Sequence, residues 1–127
     1  MFEDDHLPRR LKAELAWLTA ASNRAGYALD VAERRLKRLG AEPPEVPDAT
    51  ADPAQATSPS EIAHRFAVRL TVAPQAIRDE DVAAVRRRWG DAATAQIIHV
   101  IAMGNLFDRF TAALGLPVDE PGPVVAE

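Results

Sequence analysis

Residues 92–107 read AATAQIIHVIAMGNLF and form the longest run without a formal charge in this 127-residue chain. Asp91 can cap a helix that starts here, and the helical pattern continues to Leu114, before Gly115 and Pro117. Apolar side chains cover more than one face of this segment, which predicts the buried central helix of the protein. The run is shorter than the roughly 20 predominantly apolar residues that cross a bilayer, so we expect no contact with a membrane.

Helical periodicity recurs on the N-terminal side of this run, and no stretch shows the alternation of a half-buried strand. Helices are predicted from Pro8 to Asn23, from Tyr27 to Leu39, from Pro59 to just before Pro74, and from Asp79 to Gly90. Ser58, Pro59 and Glu61 have the spacing of a capping box at the start of the third helix. Together with residues 92–114, these segments predict an all-α bundle of about five helices.

The composition of the chain indicates one helical domain with an irregular loop and an irregular tail. Segment 41–59 is rich in proline and is predicted to be a long loop or mobile linker within one domain. The alternative is a boundary between two domains, which is disfavoured because neither flank alone could bury an adequate core. We therefore expect a single domain over residues 1–127, with an irregular tail at 118–127. The acidic start at residues 1–5 lacks the basic region of a secretory signal, which favours a cytoplasmic location.

Charge and cysteine content exclude several functional classes. The absence of cysteine excludes a disulfide scaffold, a cysteine-ligated metal and a cysteine nucleophile. A net charge of -4 and the lack of a known nucleic-acid-binding motif argue against nucleic-acid binding. The basic clusters at 34–38 and 86–88 are therefore interpreted as solvated helix faces. A chain of this size buries a small core, which favours a homo-oligomer.

Two polar residues could have a chemical role, and each has a structural alternative. His99 lies in the most apolar segment, where it either has a hydrogen-bond partner in the core or transfers a proton in a pocket. Glu14 could act as a general base if it is buried, whereas an exposed Glu14 would only make its helix soluble. His6 and His64 are interpreted as exposed or structurally satisfied, and the three histidines lack metal-ligand spacing, so we expect no metal site.

The C-terminal half shows an ordered set of short motifs. They are Ala76-Ile77, the segment from Asp79 to Val85, Gly90, the segment from Ile98 to Ala102, Asn105, Asp108-Arg109, and the segment from Ala113 to Pro117. This order resembles the closing pattern of the carboxymuconolactone decarboxylase and alkylhydroperoxidase AhpD-like family, in which an acid-capped helix precedes a long helix ending in Ala-Leu-Gly-x-Pro. The resemblance implies an AhpD-like helical bundle.

The segment from Asn23 to Asp30 is similar to the stretch in which peroxidase-type members of that family have a C-x-x-C motif. The resemblance places the two cysteine positions at Ala25 and Ala28, and the histidine that follows them at Ala32. In the alternative register these positions are Gly26, Leu29 and Glu33. Because thiol peroxidase chemistry requires a thiolate, neither register permits it.

The resemblance implies a domain that binds a small organic molecule between its helices, which could be a cofactor-free isomerase or lyase. Glu14 matches the proton-relay position of the family and would be the base, with Tyr27 and His99 as acid or hydrogen-bonding groups. Asn105 and Arg109 would anchor either the ligand or the fold. The alternative is a non-catalytic pseudoenzyme that assembles into a homo-oligomer or with an active relative.

Overall fold

The computed structural model describes residues 7–117, which contain four α-helices and no strand. The helices are α1 (Arg9–Asn23), α2 (Gly26–Arg38), α3 (Pro59–Val72) and α4 (Asp79–Leu114), and 3₁₀ turns lie at Pro53–Gln55 and Pro74–Ala76. The prediction of an all-α protein is therefore confirmed. His6 and the expected tail at 118–127 lie outside the described residues.

Local sequence signals set the ends of the helices. The side-chain oxygen of Ser58 accepts a hydrogen bond from the backbone N–H of Glu61 at 3.1 Å, and Pro59 is the first residue of α3. After α1, Arg24 adopts the left-handed conformation with φ of 53°. The chain reverses at Arg24 and Ala25, so that α1 and α2 pack as a hairpin.

Four helices are distinguished within residues 7–117, and the last of them, α4, contains two helical segments that meet at a kink. The segments predicted as separate helices at 79–90 and 92–114 are two parts of α4. At Gly90 the backbone leaves helical geometry, with φ of 83° and ψ of 168°, and then resumes it. Because glycine has no Cβ, it tolerates this conformation, and Gly90 interrupts α4 where the sequence predicts that one helix ends and the next begins.

The core forms around α1, which contacts each of the other three helices. Leu11 and Leu15 of α1 pack with Phe66 of α3 and with Ile97 and Ile101 of α4. α4 also contacts each of the other three helices, so it shares the central position with α1.

The second half of α4 extends beyond the core. Leu106, Phe110 and Leu114 expose 60%, 59% and 58% of their surface, so the prediction of a buried helix over 92–114 is wrong for this part. The cause is the length of the helices. Residues 91–114 extend for about 36 Å, whereas the 15 residues of α1 extend for only about 22 Å.

Of the described helices, α4 alone is long and apolar enough to cross a membrane when only length and composition are considered. The uncharged run 92–107 by itself predicts no such span. Only 22% of the apolar window that meets the criterion is buried. Core helices of water-soluble proteins meet the same criterion, and Ile97 and Ile101 of α4 belong to the core.

The segment between α2 and α3 is held in place by Arg69. Its guanidinium group donates hydrogen bonds to the backbone carbonyls of Ala49 and Thr50, and pairs with Asp52 at 2.7 Å and with Asp81 at 3.1 Å. The side chains of Arg69 and Asp81 are 7% and 0% exposed. This buried network attaches the connecting segment to α3 and α4.

Candidate ligand-binding groove

A groove of about 370 Å³ lies between α1, α2 and α4. Most of its wall is apolar and consists of Ala16, Ala28, Val31, Ala32, Val100, Met103, Gly104 and Phe107. Its polar lining residues are Lys12, Arg35, His99 and Asp108. A mostly apolar wall with a few polar groups is typical of small-molecule sites, and this volume is near the lower end of their range.

Alanine side chains on α2 leave room for the groove. Ala28 and Ala32 line it and are themselves 4% and 5% exposed, so a larger side chain at either position would fill part of the space. Ala25 packs in a small cluster with Ala20 and Ala28 and is not a lining residue. Two of the three positions that the resemblance assigns to the lost redox centre therefore face the groove. In the alternative register none of the three does.

Asp108 places a carboxyl group in the groove wall, although the residue is only 3% exposed. Its Oδ2 accepts a hydrogen bond from Nδ2 of Asn23 at 2.8 Å. Burial raises the pKa of Asp108, while the hydrogen bond from Asn23 and the positive charge of Arg109 oppose that shift. Asp108 therefore takes up a proton more readily than an exposed aspartate does.

Asn105 lies next to Asp108 in a network that joins three helices. Its Oδ1 accepts a hydrogen bond from Asn23 of α1 at 2.9 Å, and its Nδ2 donates to Thr71 of α3 at 3.3 Å. The same Nδ2 donates to the carbonyl of Ile101 at 3.1 Å. Since its amide group contacts α1, α3 and α4, and the residue does not line the groove, Asn105 stabilises the packing of the helices.

The structure does not bring the predicted catalytic residues together. His99 lines the groove, whereas Glu14 and Tyr27 do not. The ring of Tyr27 packs against Phe107, with 6.3 Å between the ring centroids. Arg109 is exposed and acts on Asp108 through its charge.

Glu14 is buried between α1 and α3, which settles one question left open by the sequence. Its Oε1 accepts a hydrogen bond from Nε2 of His64 at 2.9 Å, and its Oε2 accepts one from Nε of Arg10 at 3.1 Å. The side chains of Glu14 and His64 are 11% and 15% exposed. A carboxylate bonded to an imidazole holds the ring in one orientation, which suits proton transfer.

His64 lines a second, polar cleft of about 410 Å³ beside the connecting segment. The cleft is also lined by Glu61 and Arg65 of α3 and by Glu45 and Asp48. Despite these acids, no group of three His, Asp or Glu side chains within residues 7–117 is placed to hold a metal ion. The Glu14–His64 pair is therefore a candidate acid–base group separate from the groove.

Sequence reasoning missed His64, Asp108 and Arg35 as site residues. Asp108 has a recognisable signal, because it is the first charge after sixteen uncharged residues of an apolar helix, from 92 to 107. The pairing of His64 with Glu14 has no such signal. The two residues are 50 positions apart, and they meet only because α1 packs against α3.

Known proteins were compared with the chain as a whole. No protein-family model matches it, and no curated protein matches it. The relation to the AhpD-like family is therefore a proposal that depends on the residue pattern.

Proposed function

We propose that this chain is an AhpD-like helical protein without thiol peroxidase activity that binds a small organic molecule in the groove. The groove itself supports this proposal most directly, because it offers about 370 Å³ of space beside a mostly apolar wall. Ala28 and Ala32, which stand where the resemblance expects reactive side chains, contribute to that wall. The chain has no cysteine, so its own residues provide no thiolate for peroxidase chemistry.

Isomerase or lyase chemistry in the groove would use His99 and Asp108, since an imidazole and a carboxyl group are the lining side chains suited to general acid–base catalysis. Glu14 and Tyr27 are not lining residues, and they would not touch a ligand there. Ligand binding is therefore the function that we propose first, and proton transfer is a secondary activity of the same groove.

Binding of the neutral dye Nile red, followed by its fluorescence, tests the groove. Val31→Trp places a large ring at a lining position that is 39% exposed, so the variant is expected to fold and to weaken binding at least about tenfold. Ala32→Phe fills the buried part of the groove and should have the same effect. Native mass spectrometry of freshly purified protein would show a ligand that remains bound.

Two matched variants provide the controls. Ala95→Phe adds the same ring as Ala32→Phe at an exposed position of α4, and Glu14→Gln changes an acid that does not line the groove. Both should bind Nile red as the unmodified protein does. Unchanged binding in a folded Val31→Trp protein would show that the dye does not bind in the groove, and the proposal would be wrong.

A second candidate function is assembly as a non-catalytic homo-oligomer, and the exposed stripe on α4 favours it. Leu106, Phe110 and Leu114 are spaced four residues apart and form one face, with Met103 next to them. Each exposes about half of its surface or more. Contiguous apolar surface of this kind usually marks a contact with another protein.

Light scattering at micromolar concentration tests assembly. The double variant Leu106→Glu/Phe110→Glu should have the mass of a monomer, because two charges would be buried in the contact. The matched control is Val46→Glu/Val72→Glu, which changes two other half-exposed residues and should leave the mass unchanged. A monomeric unmodified protein would contradict this second candidate without affecting the first.

A further inference from the structure

The groove adjoins a hollow whose lining is cationic. This hollow has a volume of about 350 Å³, and Lys12 and Arg35 line both spaces. Its remaining lining residues are Arg9, Arg38 and Leu39. Because α1 and α2 form a hairpin, the first turn of α1 lies beside the last turns of α2. Four positive side chains therefore surround one end of the groove.

Three of these four charges are poorly neutralised by the described part of the protein. Arg9, Arg35 and Arg38 have no ion-pair partner among the described residues 7–117. Within α2, the positions three and four residues from Arg35 are Val31, Ala32 and Arg38, and none of them is acidic. Like charges held this close repel one another, and a bound anion would reduce that repulsion.

A purely structural explanation accounts for half of the cluster. Arg35 and Arg38 lie near the C-terminus of α2, where positive charges interact favourably with the helix dipole. Arg9 and Lys12 lie in the first turn of α1, where positive charges interact unfavourably with it. The dipole therefore does not explain why all four cations lie together.

The groove has opposite electrostatic character at its two ends. α1 and α4 run in the same direction, since Thr19 lies against Gly104 and Asn23 is bonded to Asp108 one turn further on. Lys12 precedes Asn23 by three turns of α1, so the cationic end and the Asp108 end are about 16 Å apart. Alanine, valine and methionine side chains line the wall between them.

We propose that the groove binds a single-chain amphiphilic anion, meaning a carboxylate or phosphate at the end of an apolar chain. The anionic group interacts with Arg9, Arg35 and Arg38, and the chain lies along Ala28 and Ala32 toward Asp108. A volume of about 370 Å³ suits one apolar chain and not the two chains of a bilayer lipid. This inference rests on the proposed function, because it specifies the ligand of the same groove.

Calorimetric titration with decyl phosphate, and with decyltrimethylammonium as the probe of opposite charge, tests the inference. The unmodified protein should bind decyl phosphate at least about tenfold more tightly than decyltrimethylammonium, since a hydrogen bond to a charged group contributes about that much. In Arg35→Gln/Arg38→Gln this preference should be lost. The control Arg87→Gln/Arg88→Gln removes the same charge at exposed positions elsewhere and should keep the preference.

The outcomes separate this inference from the proposed function. Suppose that the two probes bind equally well and that Val31→Trp still weakens Nile red binding. The inference that the ligand is an amphiphilic anion would then be wrong, and the groove would remain a ligand site. Failure of Nile red to bind would overturn the proposed function itself. A preference for decyl phosphate that is equally strong in the Arg35→Gln/Arg38→Gln protein would also contradict the inference.

Vesicles distinguish a free amphiphile from a lipid surface. Sedimentation with phosphatidylglycerol vesicles should recover little protein, and Val31→Trp should abolish binding of free decyl phosphate. If the protein instead binds vesicles, and binds them equally well as Val31→Trp, then the cations contact a membrane surface and the inference is wrong.

Discussion

Asp108 shows how one residue couples the stability of this protein to its candidate site. The carboxyl group lies in the groove wall but is only 3% exposed, and Asn23 is its hydrogen-bond donor. Burial raises the pKa of Asp108 above its ordinary value. The folded protein therefore binds a proton at Asp108 more readily than the unfolded chain does, and ionised Asp108 disfavours folding.

Replacing Asp108 by asparagine should increase the free energy of unfolding at neutral pH, by about 1 kcal/mol or more, since the variant buries no charge and keeps an oxygen that accepts from Asn23. The advantage should shrink as the pH falls through the folded-state pKa of Asp108, because the unmodified protein then becomes neutral at this position. Urea unfolding at a series of pH values from about 7.5 down to about 4 measures both effects. The exposed change Glu33→Gln is the control, and an advantage that does not decrease in acid would contradict this account.

Among the structural elements, α4 depends on an unusual conformation at Gly90. Its φ of 83° with ψ of 168° lies in a region that is essentially restricted to glycine. Gly90→Ala should therefore lower the free energy of unfolding by about 1–3 kcal/mol, even though nothing lies near the added Cβ. Urea unfolding measures this, with Gly26→Ala as the control because Gly26 does not have a positive φ. Equal stability of the two variants would contradict the assignment of strain to Gly90.

The connection between α2 and α3 depends on Arg69. Arg69→Met should lower the free energy of unfolding by about 3–5 kcal/mol, because it leaves the buried carboxylate of Asp81 without its closest described cation. Urea unfolding of Arg69→Met beside the exposed control Arg87→Met tests this. A loss no larger than that of the control would show that the network adds little stability.

The same network predicts the response of this element to acid. The hydrogen bond from Arg69 lowers the pKa of Asp52 below its ordinary value of 3.8. Their pairing therefore stabilises the fold at pH values above 3.8. This stabilisation is lost as the pH falls through the lower folded-state pKa of Asp52.

For the molecule as a whole, the exposed stripe on α4 makes stability depend on concentration. If a second copy covers Leu106, Phe110 and Leu114, association stabilises the folded state, and the midpoint of thermal unfolding rises with protein concentration. Calorimetry over a hundredfold range of concentration should show an increase of a few degrees, since each kcal/mol raises the midpoint by about 4 °C for a chain of this size. The Leu106→Glu/Phe110→Glu protein should show no such dependence. A constant midpoint in both proteins would contradict association through this face.

Much of the fold follows from interactions between residues that are close in sequence. The all-α class and the start of α3 at Ser58 and Pro59 were predictable, because helical periodicity and capping act within a few residues. The interruption of the helix at Gly90 was predictable as well, since glycine readily adopts the positive φ that breaks helical geometry. The exposure of Leu106 and Phe110 was not predictable, because it depends on the lengths of the other helices.

For the candidate site too, some features follow from the sequence alone and others depend on how the helices pack. The chain's composition was enough to exclude thiol chemistry, because a chain without cysteine has no thiolate in any fold. Only the packing of the helices decided that Glu14 meets His64, that His99 shares a groove with Asp108, and that Arg9 and Arg38 lie near one another. Residues far apart in the chain meet according to how whole helices dock, and docking depends on the combined shape of many side chains, which no local pattern contains.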